Sequence, residues 1–146
     1  MKLVDSNVWL ALVLSGHNHH EDAQDWLQTE TASGELIFCR STQQSFLRLL
    51  TTAAIFKPFG NPPLTNSEAW GVYQSFLADR RIAFAKEPDG LDACWQRLAL
   101  RNTASPKVWM DAYLAAFAIS RGYQLVTIDQ AFRQFDDLDL LLLKEQ

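Results

Sequence analysis

Cysteine is scarce in this sequence. The two thiols, Cys39 and Cys94, sit in apolar surroundings without the spacing of a metal knuckle. That excludes a small zinc-built fold and predicts two buried thiols in a reducing compartment. No basic excess is present either. A net charge of −4 excludes a broad cationic surface gripping nucleic acid without regard to sequence, while leaving room for a local basic rim around an acidic cleft. Residues 1–14, the most apolar opening stretch, are too few to cross a bilayer. Asp5 interrupts them as a signal core, and no small-residue cleavage site follows. The expectation is a cytoplasmic protein that does not engage membranes. Repeats and low-complexity tracts are absent. What is present is a 146-residue chain, 48% hydrophobic and 21% charged, which is enough for one domain (1–146) with a real core.

Short apolar runs alternate with amphipathic stretches. KLVD (2–5) reads as a buried strand, SNVWLALVL (6–14) as a helix stopped near Gly16, and HHEDAQDWLQTE (19–30) as a helix burying Ala23, Trp26 and Leu27. GELIFC (34–39) is the second strand. Residues 41–55 form one helix on the stripe Phe46, Leu49, Leu50 and Ala53, capped by Ser41. FKPFGNPPL (56–64) is a loop. Thr65 and Glu68 form a capping box that opens a helix through Trp70, Tyr73 and Leu77. RIAFAKE (81–87) is the third strand, and Asp89 caps the helix carrying Leu91, Cys94, Trp95 and Leu98. Ser105 and Pro106 form an N-cap and N1 pair for the helix that Gly122 ends. QLVTID (124–129) is the fourth strand, QAFRQF (130–135) a short helix, and LDLLLL (138–143) a last, edge strand. Strands alternating with helices predict an α/β fold, a mainly parallel central sheet of four to five strands with helices on both faces.

That topology has a chemical consequence. Ligands of open parallel sheets collect at the carboxyl ends of the strands. Asp5 ends the first strand, Asp129 lies just past the fourth, and Asp111 opens the helix that feeds the fourth, so its N-terminal end lies at the same sheet edge. Three clustered carboxylates stay ionised together only around a cation, and oxygen-only ligands suit Mg²⁺ or Mn²⁺. Each acid alone also has a structural use: Asp5 and Asp129 as helix caps, Asp111 at the positive end of its helix.

KLVDSNVWLAL, CRSTQQSFLRLLTT and VWMDAYLAAFAISRGYQLVTID with its trailing QAF together resemble PIN-domain ribonucleases, specifically the VapC toxins of VapBC toxin–antitoxin pairs. The EPDGL stretch (87–91) fits the same pattern, so the likeness runs nearly end to end. It implies a PIN fold and a Mg²⁺- or Mn²⁺-dependent endoribonuclease. Asp5, Asp111 and Asp129 would be its catalytic metal ligands, with Ser6, Asn7 and Thr127 holding those acids by hydrogen bonds and Ser45 supporting them from the third helix. It further implies an RNA substrate, a small VapB-type antitoxin that inserts a basic side chain into the acidic cleft, and a homodimer. One position departs from the pattern. Many PIN nucleases carry a glutamate just before the FLR-like segment, where this chain has Ser45 with Gln44 beside it. That leaves open whether one metal binds or two. It also motivates the alternative of a non-catalytic PIN-like module that binds RNA or protein.

Other signals are weighed against bland readings. Glu87 is a substitute acid or a solvent-facing residue at the Pro88 turn. His17, His19 and His20 suggest a transition metal or, more simply, a solvated helix entry. Arg48 and Lys107, with Arg40 and Lys57, are candidates for RNA phosphates, and Arg48 is equally a partner for one of the cleft acids. The five tryptophans fall on apolar faces and read as core, Trp109 being also placed to stack a base. Phosphotransfer on a similar sheet is disfavoured. Asp5-Ser6-Asn7 is not the D-x-D of haloacid-dehalogenase-like phosphatases, and the acidic pair of a response-regulator receiver is missing.

Overall fold

The computed structural model describes residues 1–144. Five parallel strands, β1 (Lys2–Val4), β2 (Leu36–Phe38), β3 (Ile82–Phe84), β4 (Gln124–Thr127) and β5 (Leu140–Leu142), form one sheet in the order β3-β2-β1-β4-β5. This is the expected PIN-like α/β architecture. The helices are α1 (Ser6–Val13), α2 (His20–Thr29), α3 (Arg40–Leu50), α4 (Ala53–Phe56), α5 (Asn66–Leu77), α6 (Leu91–Ala99) and α7 (Val108–Arg121). None among the described residues is long and apolar enough to cross a membrane.

The two-residue period of the strands sorts their side chains into two cores. Val4, Leu36, Phe38 and Val126 point to one face, where they meet Val8 and Trp9 of α1, Trp26 of α2, Phe46 and Leu50 of α3 and Tyr73 of α5. Leu3, Ile37 and Leu125 point to the other, against Leu91 and Ala99 of α6 and the small-residue run of α7, Ala112 to Ala118. Trp9 anchors the first core: it stacks on Phe38 at 4.2 Å between centroids, and its indole N–H donates to Val4 O at 3.1 Å. A side chain of that size, fully buried, contributes roughly 1.5–3 kcal/mol through desolvation alone.

Chain order reverses beside β1. From β1 the sheet grows through β2 to β3, then resumes on β1's other side with β4 and β5. The crevice between the carboxyl ends of β1 and β4 is therefore the topological switch point. Beyond β5, Leu143 N–H still donates to Thr127 O at 3.0 Å, which ties the last described residues to the end of β4.

Several local expectations need correction. Residues 41–55 are two helices: the Thr51 and Thr52 hydroxyls donate back to Leu47 O and Arg48 O at 2.6–3.1 Å, ending α3 before α4 begins. The N-cap of α3 is Cys39, one turn-entry earlier than Ser41, and its N–H donates to Thr42 Oγ1 at 3.0 Å. Gly90, at φ 76°, caps α6 in place of Asp89, because the chain enters that helix in the left-handed region where glycine is unstrained. Residues 105–107 form a turn ahead of α7, whose N-cap is Lys107, and the Ser105 hydroxyl pairs with Thr103 instead. Gly16 lies beyond the end of α1 at Leu14; a Cβ there would stand 2.7 Å from the Phe59 ring, which would have to shift to admit it. Cys94 is half-buried, unlike Cys39. Trp70 and Trp109 are 46% and 51% exposed and are not core. The three histidines are half-buried and not a solvated face; His20 Nδ1 lies 2.7 Å from Ala11 O.

Arg81 ties the start of β3 to the end of α2. Its guanidinium grips Asp79 through both carboxylate oxygens at 2.6–3.2 Å and donates to Leu27 O and Glu30 O at 2.8 and 3.1 Å. The guanidinium's hydrogen bonds hold the Asp79 carboxyl down at about 2. A depressed acid stabilises the fold above its ordinary value of 3.8 and loses that contribution as pH falls through about 2. Asp79→Asn is expected to cost about 1–2 kcal/mol at pH 7, and its unfolding midpoint in urea should converge on that of the unaltered chain near pH 2.

Candidate active site

The switch-point crevice opens into a cleft of about 380 Å³, whose walls include Asp5, Asp111, Asp129, Ser45, Arg48 and Lys107. Asp5 directly follows β1 and is the N-cap of α1, with Oδ1 accepting from Ser6 N–H at 2.7 Å. Asp129 follows β4 and caps the short 3₁₀ turn Gln130–Gln134 through Ala131 N–H at 2.9 Å. Asp111 projects from the first turn of α7, half-buried, and no group among the described residues donates a hydrogen bond to its carboxylate. The cap roles expected of Asp5 and Asp129 are thus real, and both residues still face the cleft.

Thr127 is the hub that holds this edge together. Its fully buried hydroxyl donates to Asp5 Oδ2 at 2.7 Å and accepts from Asn7 Nδ2 at 3.3 Å and from Asp129 N–H at 3.0 Å. Asn7 completes the bracket by accepting from Ile128 N–H at 3.3 Å. Ser6, Asn7 and Thr127 therefore make hydrogen bonds that fix the acids or their backbone. Ser45 lines the cleft and makes no hydrogen bond to them. The family resemblance implies that Thr127 holds the acids; the structure adds its further contacts to Asn7 and to the Asp129 backbone.

Electrostatically, the cleft is a site short of positive charge. Burial pushes the Asp5 carboxyl above the usual carboxylate range; the Thr127 hydroxyl and Ser6 N–H oppose this, and the charges of Asp111 and Asp129 add to it. Burial and Asp129 likewise push Asp111 up, while Lys107 pulls it down. Arg48, exposed at the rim, forms no ion pair with any of these acids, which answers one of the two readings of that residue. Glu87 is exposed, accepts from the Tyr113 hydroxyl at 2.9 Å, and takes no part in the cleft. Trp109 packs edge-on against Trp95 and does not line the cleft either.

Oxygen-only donors, one of them buried and mutually repelled, match the chemistry of a hard divalent cation. Among the described residues, however, no three carboxylate, imidazole or thiol groups are drawn tightly enough to enclose an ion in this geometry. The three acids share a cleft and not yet a point, leaving positions that water or a phosphate oxygen would complete.

The chain matches the PIN domain family over residues 2–138. It is 56% identical over 144 residues to Ribonuclease VapC41 of Mycobacterium tuberculosis, covering 98% of this chain and 99% of that protein. Crystal structures with the same fold include the following two. Mycobacterium tuberculosis VapC20, described as a sarcin-ricin loop cleaving toxin, aligns with a TM-score of 0.66 at 16% identity over 95% of this chain and 98% of that one. VapBC2 of Rickettsia felis, bound to a DNA fragment from its promoter, aligns at 0.65 and 12% identity over 98% of each chain.

Because Asp111 adds repulsion without a hydrogen-bond partner, Asp111→Asn is expected to stabilise chelator-treated protein by roughly 0.5–1.5 kcal/mol at pH 7.5. Thr127→Val should destabilise it by about 1–3 kcal/mol, since a buried carboxylate then loses its donor. Denaturant midpoints in EDTA measure both, and opposite signs are the expected result.

Proposed function

This chain belongs to the PIN-domain family, and we propose that it is a Mg²⁺- or Mn²⁺-dependent endoribonuclease, the toxin half of a toxin–antitoxin pair that hydrolyses RNA phosphodiester bonds. The observation that carries the reading is the meeting of Asp5, Asp111 and Asp129, from three separate parts of the chain, on one cleft with two cations at its rim. The 56% identity to a protein named a ribonuclease supports the activity. The VapC name of that relative and the VapBC name of a structure with the same fold support a VapB-type antitoxin as the proposed partner, and the cytoplasm is the proposed location.

Asp5, Asp111 and Asp129 would hold the ion. A bound divalent ion supplies an activated water and offsets the charge that develops on the phosphate. The protein's own share is positioning. Thr127, Ser6 and Asn7 keep Asp5 and the Asp129 backbone in fixed orientation, so the ligands need little rearrangement. Arg48 and Lys107 face the same cleft and would pair with phosphates of the bound RNA strand. Leu100 at the end of α6 and Trp109 at the start of α7 are 65% and 51% exposed, and we assign these apolar side chains to the contact of a homodimer.

Ser45 favours a second reading, a module that binds RNA or protein without cutting, because the cleft lacks a fourth carboxylate there. One experiment separates the two. Mn²⁺ is expected to raise the melting temperature of the unaltered chain and to leave Asp111→Asn unmoved. With the same ion the unaltered chain should cut single-stranded RNA, and Asp5→Asn or Asp111→Asn should lower the rate by on the order of 100-fold or more while both variants stay folded. RNA that is bound but never cut establishes the second reading; cutting that survives both substitutions removes the first.

A further inference from the structure

We propose that the pocket between α3 and α5 is a nucleobase subsite, in which an unstacked base neighbouring the cut phosphate lies on Trp70 while Arg48 pairs with the phosphate between. The inference rests on the reading of the chain as an RNA nuclease and adds to it where the strand runs beyond the acids. This second cavity, of about 450 Å³, is lined by Leu47, Arg48, Thr51, Asn66, Ala69 and Trp70. Arg48 lines both it and the acidic cleft, so this one residue borders the two cavities. Among the described residues its guanidinium makes no ion pair or hydrogen bond, although the residue shares a cleft with Asp5, Asp111 and Asp129. A cation left uncommitted between an acidic centre and an apolar pocket is placed for the phosphate that joins two nucleotides.

The pocket beyond it has the composition of a base platform. Trp70 is 46% exposed, yet its ring leans on Tyr73 at 5.2 Å between centroids, so a large aromatic face is held open and oriented. Leu47 and Ala69 contribute apolar walls. Asn66, the first residue of α5, brings an amide with both donor and acceptor, the equipment for reading a base edge. The Thr51 hydroxyl proton is directed back into α3, so Asn66 and Arg48 are the polar side chains of the pocket with donors to spare. With Trp70 as the one aromatic among its lining residues and an arginine beside it, the pocket suits one planar group on a charged backbone better than a docked helix, which requires a long apolar groove.

The test is fluorescence anisotropy of a labelled single-stranded RNA of mixed sequence with the full chain in EDTA, run beside Mn²⁺-dependent cleavage of the same RNA and its inhibition by co-purified antitoxin. Trp70→Ala is expected to weaken RNA binding about 5- to 100-fold, and Trp70→Phe to recover most of it. Arg48→Gln should lower the slope of log affinity against log salt by about one. An abasic nucleotide beside the cleavage site should cost the unaltered chain what Trp70→Ala costs, with no further loss when the two are combined. Trp70→Ala binding RNA like the unaltered chain overturns the subsite alone, provided that chain still cuts RNA. Unaltered RNA cleavage by Trp70→Ala together with escape from the antitoxin makes the pocket a protein-docking site and likewise overturns it. Failure of the unaltered chain itself to bind RNA removes the subsite along with the reading beneath it.

Discussion

The hydrogen bond from the Thr127 hydroxyl to Asp5 is the interaction on which the rest of the site depends. It joins residues 122 positions apart, and it forms because β1 and β4 lie side by side in parallel register with Val4 opposite Val126. One residue beyond that pair, Asp5 leaves β1 and Thr127 ends β4, so the buried carboxylate meets a buried hydroxyl at the crevice. A carboxylate only 7% exposed is costly unless it is satisfied. Here the Ser6 N–H and the Thr127 hydroxyl satisfy part of its capacity, and the remainder faces the cleft. The structure tolerates a charge in its interior by dividing it between the scaffold and whatever occupies the opening.

That division explains why the site is assembled from caps. Asp5 and Asp129 each begin a helical segment, so each side chain is held by a backbone N–H before any ligand arrives. Structural and chemical roles, which compete as explanations of an isolated aspartate, are carried here by the same atoms. Asp111 is the exception. It has no hydrogen-bond partner among the described residues, and the surrounding chain gains nothing from it beyond the favourable end of α7. It sits in the first turn of a mostly apolar helix, and the proposed role as a metal ligand would account for its cost.

Much of this was legible in the sequence because strand ends follow from simple periodicity. A run such as KLVD or QLVTID fixes which residue emerges at the carboxyl edge, and parallel pairing brings those edges together. Helix boundaries were less legible. Cys39 and Gly90 cap α3 and α6 in place of the better intrinsic cappers Ser41 and Asp89, since the path of the chain out of β2 and through a left-handed turn decides where each helix starts. Trp70 was read as core on the strength of its apolar neighbours. Only the packing of α5, with Ala69 and Tyr73 turned inward, leaves the indole outside. The role of Thr127 as a hub needed the third dimension altogether, because its partners are separated in sequence and meet only after the sheet has formed.

The hydrogen bond from Leu143 N–H to Thr127 O reaches past the end of β5. Thr127 is thus gripped twice: its side chain steadies Asp5, and its carbonyl steadies the chain's final strand. An edge strand has no outer neighbour to share a load. A purification handle or fusion partner that tugs on residues after 143 would therefore strain the mount of the buried aspartate, whereas the same cargo inserted at the exposed residues 31–33 would leave that mount undisturbed.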